Sequence, residues 1–221
     1  DDIYWGHGQR ILRAAHQVRR SPGVYSLFCS NYSCGPDSFG IHFYAFQMQG
    51  KPFAIIETDG HSGDAGTKTR VEAFLHCVRQ DVETGPRPDA RDLGEFERDR
   101  AVLREFRERG DTLLVPRMSG AAIALGACLR GMGLAAEVLP VPDREALRIG
   151  RRHTSGKECV PTTVVLGSFL KRLEEEPDRE KRFVLLMPRT CGPCRFGVYH
   201  LLMKIVFDRL DPRTLGRLIA L

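Results

Sequence analysis

The stretch VLLMPRTCGPCRFGVYHLLMKI, residues 184–205, decides how this chain is read. It opens on the apolar run Val184-Leu185-Leu186-Met187, which has the length of a buried strand and not of a helix. Pro188 and the loop Cys191-Gly192-Pro193-Cys194 end that run. Phe196, Tyr199, Met203 and Val206 then recur at helical spacing, which predicts a helix over 194–209. The order is strand, thiol-bearing loop, helix, the repeating unit of an α/β protein.

The same order extends outward. Ile11, Ala15 and Val18 predict a helix over 8–19, and VYSLFC (24–29) a strand. Phe39, Phe43 and Phe46 mark the next helix. PFAIIET (52–58) is a continuous apolar run of the kind that forms a buried parallel strand. Val71, Phe74, Leu75 and Val78 make an amphipathic stripe over 64–80. Further along, strands are expected at 112–116, 135–140 and 182–188, with helices at 119–132, 143–149 and 162–175. Between the two sets lie a Pro/Gly/charge connector (81–92) and a charged helix (93–109) with Phe96, Leu103 and Phe106 as its stripe. The reading is α/β: a Rossmann-like, mostly parallel sheet with helices on both faces, in one domain carrying a charged connector and helix at 81–110. In such sheets ligands bind beyond the carboxyl ends of the strands.

Composition narrows the function. Of 221 residues, 42% are apolar and 28% charged, as in ordinary globular proteins. No apolar run approaches the roughly 18 residues of a membrane span. The formal charge of +5 is spread along the chain without aromatic interleaving, so nucleic acid is not the expected partner; a pocket for an anionic substrate fits better. No export signal is visible, and the chain starts without Met, as a processed product or part of a longer polypeptide would. An odd number of cysteines, seven, then argues for a cytoplasmic protein with metal-binding or redox thiols, not a disulfide scaffold.

Three thiol sites share the pattern Cys-x-Pro: Cys34-Gly35-Pro36, Cys159-Val160-Pro161 and Cys191-Gly192-Pro193. Proline favours the first helical turn, so each thiol should sit near a helix N-terminus, where amides and the macrodipole stabilise a thiolate. Thiolates of this kind hold iron–sulfur clusters. A four-thiolate zinc site through Cys34, Cys159, Cys191 and Cys194 uses the same residues. Cys191 and Cys194 also spell a thioredoxin dithiol, although that fold needs more chain after the motif than the 27 residues present. Cys77, Cys128 and Cys29 read as small buried hydrophobes.

Asp59, His61 and Asp64 stand at the end of the 52–58 strand. His61 is a candidate proton donor, and Asp64 an alternative helix cap. GDAGTKT (63–69) and GRRHTSGKE (150–158) resemble phosphate loops, but neither has contiguous Gly-Lys-Ser/Thr; Glu158 stands where a magnesium-binding hydroxyl would be. ATP is therefore not an expected ligand of this chain; 63–66 reads as the start of a helix and 155–157 as a turn.

Four segments in order, SNYSCGPDSF, ETDGHSGDAGTKTRVEAFL, TSGKECVPTTVVLGSFLK and GPCRFGVY, resemble the C-terminal region of long CoA-substrate-specific enzyme activase-like proteins. Those belong to the 2-hydroxyacyl-CoA dehydratase and benzoyl-CoA reductase superfamily, which includes double-cubane cluster proteins. The resemblance covers nearly all of residues 4–207. It implies an oxygen-sensitive iron–sulfur protein that receives low-potential electrons from an ATP-hydrolysing iron–sulfur activator, for reducing a small molecule or for reductive or radical chemistry on a CoA thioester. The implied ligands are Cys34, Cys159 and Cys194, holding a 4Fe–4S cluster or part of a double-cubane 8Fe–9S cluster. Two departures matter. The family usually lacks a cysteine where Cys191 stands, which makes Cys191 a spare ligand or incidental. It commonly has an acidic residue where Gly60 precedes His61. The long relatives also carry an upstream region with further cysteines. A partner chain, a second copy or further sequence would supply those thiolates, unless this chain holds one simple cubane.

Overall fold

The computed structural model describes residues 3–61, 63–85, 90–97, 103–178, 180–210 and 218–220. The chain divides into two compact units, Asp1–Glu95 and Phe96–Leu221. The division falls inside the charged segment. Of that segment, residues 86–89 and 98–102 lie outside the described residues; a 3-10 turn covers Leu93–Glu97 and a helix, α4, covers Leu103–Arg109.

The first unit holds helix α1 (Gly6–Arg20), strand β1 (Ser26–Ser30), helix α2 (Asp37–Gln47), strand β2 (Phe53–Glu57) and helix α3 (Asp64–Thr84). β1 and β2 pair in parallel, with Phe28 opposite Ile55. The predicted stripe of α2 is its core face: Phe39, Phe43 and Phe46 are all fully buried. α1 ends on a charged cap. Buried Lys51 donates from Nζ to the carbonyls of Val18 (2.5 Å) and Ser21 (2.7 Å), placing a cation at the negative end of the helix.

Two expectations change in this unit. β2 is only half buried, with Ile56 alone inside. The α3 stripe buries Phe74 but leaves Leu75 46% exposed. The cause is the narrow sheet. A helix of 21 residues runs about 31 Å, whereas two strands of five residues span about 17 Å along their axes, so most of α3 has no strand beside it.

The second unit is built on a parallel sheet in the order β4-β3-β5-β6. Its strands are β3 (Thr112–Val115), β4 (Ala136–Val138), β5 (Phe183–Leu185) and β6 (Leu218–Ala220). Helices α5 (Ala121–Gly131), α6 (Arg144–Arg151), α7 (Val160–Glu175) and α8 (Tyr199–Asp208) surround it, with a 3-10 turn at Arg195–Val198 before α8. The α/β class and the parallel pairing are thus as the sequence indicates, but on two sheets. Strand order reverses between β3 and β5, so the crevice beyond their carboxyl ends is the place such a sheet offers a ligand.

Phe106, Leu113, Val115, Leu129, Leu134 and Val184 form one core cluster. At the other end of the strands, buried Asp111 accepts from Arg109 Nε (3.0 Å) and Arg182 (3.2 Å), which ties the start of β3 to the start of β5. α6 and α7 touch backbone to backbone. A Cβ on Gly150 would lie 1.9 Å from the Thr163 carbonyl oxygen, and one on Gly167 1.7 Å from that of Ala146. Only glycine allows this approach.

Candidate functional site

Each thiol site sits where a loop meets a helix, but the three are built differently. In the first unit, Cys34 follows β1. Tyr32 (φ 49°) and Ser33 (φ 57°) are left-handed without being glycine, a conformation held only when the surroundings enforce it. The enforcement is a small polar network. The Ser33 amide donates to Ser30 Oγ (3.0 Å), Ser30 Oγ to Asp37 (2.9 Å), and Ser33 Oγ to Glu57 on the neighbouring strand (2.8 Å). The loop is thereby pinned to the carboxyl end of both strands, and the Cys34 side chain is exposed. Pro36 is the N-cap of α2, so Cys34 precedes that cap by two residues.

His61 lies on the other loop at that edge. Its amide donates to Asp59 (2.8 Å), a local turn that leaves the ring exposed. Asp64 is not the cap expected of it. Gly63 is the N-cap, and Asp64 is the first helical residue, favourably placed against the helix dipole. An open groove of about 500 Å³ beside it is lined by Thr58, Asp59, Asp64, Thr67 and Lys68.

In the second unit, Cys159 is the N-cap of α7, with Pro161 in the first turn. Its carbonyl accepts from the Thr162 amide (3.0 Å). The loop before it is closed by Glu158. That buried carboxylate accepts from the Ser155 amide (2.9 Å) and hydroxyl (3.0 Å), while Gly156 takes the left-handed turn (φ 84°). The residue out of place in a phosphate loop is thus the loop's fastener.

Cys194 caps the 3-10 turn that leads into α8, and its carbonyl accepts from Gly197 (3.2 Å). It arrives on the loop that follows β5, at the reversal point of the sheet. Gly197 is again a contact glycine: a Cβ there would lie 2.5 Å from the Thr190 carbonyl oxygen. The two ends of the Cys191–Cys194 loop are therefore held against each other. Pro193 lies before this cap, not in the first turn.

Tyr199 feels the charge of both sites. The residue is 4% exposed, and its hydroxyl faces both Thr162 and the Cys159 thiol. Burial chiefly, and then the two cysteines, pushes its ionisation up to about 12, because a phenolate would have to form near sulfurs that themselves carry negative charge when ionised. Cys159 and Cys194, 35 residues apart in sequence, thus both act electrostatically on this one tyrosine. The sequence pattern placed Tyr199 on the core stripe of the last helix and missed this role. Its position five residues after Cys194, a little over one helical turn, is the signal that would have found it.

The chemistry available here is that of soft donors: two thiols, a third on the Cys191 side of the same loop, and a hydroxyl that donates to sulfur. These suit a thiolate-bound metal or cluster. Among the described residues no group of three or more His, Cys, Asp or Glu side chains is gathered as a metal site, so the fit within this unit reaches the pair Cys159 and Cys194. All seven cysteines are free thiols. Cys29, Cys77 and Cys128 are exposed, not buried as their apolar neighbours suggested. Cys29 points away from buried Phe28 and Ser30 on a strand with one covered face, and Cys77 lies on the uncovered length of α3.

No helix among the described residues is long and apolar enough to cross a membrane. Comparison of the chain with family models, with curated proteins and with solved structures finds no match.

Proposed function

We propose that this chain is a cytoplasmic iron–sulfur protein that accepts low-potential electrons from an ATP-hydrolysing iron–sulfur activator. The electrons serve reduction of a small molecule, or reductive or radical chemistry on a CoA thioester. The observation that carries the reading is that Cys159 and Cys194 both bear electrostatically on buried Tyr199, since those two thiols are ones the motif resemblance singles out as ligands. Cys34 completes the proposed set. The cluster, 4Fe–4S or part of a double cubane shared with a partner chain or a second copy, would supply one-electron reduction.

The chain's own residues have distinct duties in this proposal. Cys159 and Cys194 offer their sulfurs from cap positions at the starts of α7 and of the turn before α8. Tyr199 donates to Cys159 and keeps its own proton through the neutral pH range. Glu158 and the α6–α7 glycines fix the position of Cys159. His61, exposed at the end of β2, is assigned proton supply.

The test is anaerobic purification of the full chain with iron, sulfide and zinc analysis and EPR after reduction. Iron and sulfide in comparable amounts, with a reduced-cluster signal, support the proposal. Zinc without sulfide replaces it with a closed four-thiolate structural site. Cys34→Ser should abolish the cluster, and Cys77→Ser should leave iron content unchanged.

A second reading, thiol–disulfide exchange, is favoured by one specific observation: Cys191 and Cys194 are both exposed on a single loop. Loss of activity on alkylation under reducing conditions, with metal content intact, would select it.

A further inference from the structure

The loop after β5 carries one thiol more than the proposed ligand set uses. Cys191 is exposed, lies three residues before Cys194, and is not one of the groups that Tyr199 faces. The loop between them is closed at its base. Thr190, next to Cys191, rests its carbonyl against Gly197, and Gly197 in turn donates its amide to the Cys194 carbonyl (3.2 Å). Gly192, between the two cysteines, sits at φ 128°, a conformation that side-chain-bearing residues rarely adopt. A small ring with both thiols exposed and its ends pinned is the arrangement in which two cysteines exchange with a disulfide.

We propose that Cys191 and Cys194 are a redox-modification site whose intramolecular disulfide withdraws Cys194 from the ligand set proposed above. The inference rests on the ligand reading above and adds its regulation. The co-reactant is a low-molecular-weight disulfide, RSSR. The Cys191 thiolate attacks one of its sulfurs, releasing the first RSH and leaving a mixed disulfide. The Cys194 thiolate then attacks the Cys191 sulfur, releasing the second RSH. Two cysteine thiols are oxidised, one RSSR is reduced, and the two thiol protons end on the two RSH. Thiol reductants reverse the sequence and restore Cys194 as a ligand.

The full chain, metal-free and reduced, is equilibrated anaerobically with graded ratios of reduced to oxidised glutathione, then acid-quenched, alkylated and digested with trypsin. Both cysteines fall on one peptide, Thr190–Arg195. The expected product is that peptide lacking two hydrogens and carrying no alkyl group, while the Cys77 and Cys128 peptides stay alkylated. Cys194→Ser should trap the mixed disulfide as a glutathione adduct on Cys191. Peptides alkylated or glutathionylated independently at both cysteines, with no internally linked form, overturn the proposal.

Ferrous iron and sulfide are then offered to the reduced and the disulfide chains. The reduced chain should take up at least tenfold more iron. Equal uptake overturns the gate although the disulfide forms. No uptake by either chain overturns the cluster reading and the gate with it. The linked peptide separates that failure from a failure of the dithiol itself.

Discussion

Replacing Gly167 with alanine tests whether α6 fixes the helix that presents Cys159. The added Cβ would lie 1.7 Å from the Ala146 carbonyl oxygen and 2.7 Å from the Gly150 amide nitrogen. Ordinary contact begins near 3.4 Å, so the helices must part by about the same 1.7 Å. Neither obstacle is a side chain that can swing away. Overpacking of one methyl-sized group costs about 1–3 kcal/mol, and here the upper end applies because backbone must move. Buried Val165, Leu166, Phe169 and Leu170 move with α7 and loosen their packing. Alanine's better helix propensity returns about 1 kcal/mol. The net loss is about 2 kcal/mol, a substantial part of the roughly 5–15 kcal/mol that stabilises a domain. Urea unfolding followed by far-UV circular dichroism should show the midpoint falling by about 1 M. Hydrogen exchange should localise the loss to α6 and α7. Gly131→Ala, with no atom within 4 Å, serves as the control and should be neutral or slightly stabilising. Gly167→Ala unfolding within about 0.5 kcal/mol of the parent would refute the backbone contact, since surface changes alone have effects of that size.

Glu176 is held at about 2, below its ordinary 4.5, first by Lys181 and then by Arg172. A depressed carboxylate adds stability above the ordinary range that is lost as pH falls through about 2, so Glu176→Gln should flatten the urea midpoint between pH 4.5 and 2. Asp111→Ala removes the acceptor shared by Arg109 and Arg182 and should cost about 2 kcal/mol, discounted because both arginines reach solvent; thermal unfolding checks this. Tyr199 should ionise last in an ultraviolet phenolate titration, near pH 12, and Tyr199→Phe should delete that final step without altering the earlier ones.

The elements were legible where one residue type repeats at one period. Phe39, Phe43 and Phe46 give α2, and all three are buried. The Val184–Met187 run gives β5, which ends at Leu185 because Leu186 already leaves the ladder after one bond to Leu114. Division into two sheets was not legible, because parallel strands carry the same apolar signal whichever neighbour they pair with. The contact glycines 150, 167 and 197 were unreadable for a related reason: a glycine that admits another backbone looks in sequence like one that makes a turn. Exposure of Cys29 and Cys77 followed from the narrow first sheet, a property of assembly and not of local pattern. Of the site, the cap position of Cys159 was visible in Cys-x-Pro, whereas Tyr199 was hidden because an aromatic at helical spacing is ordinarily core.

The most direct test asks whether the sulfurs of Cys159 and Cys194 meet. In a chain whose other five cysteines are changed to serine, dibromobimane fluoresces only when both of its arms are taken by neighbouring thiols. The account predicts a fluorescent bridge joining the peptides of Cys159 and Cys194, lost when either is replaced. Two singly alkylated cysteines without a bridge, in a chain that keeps its circular dichroism, would contradict it.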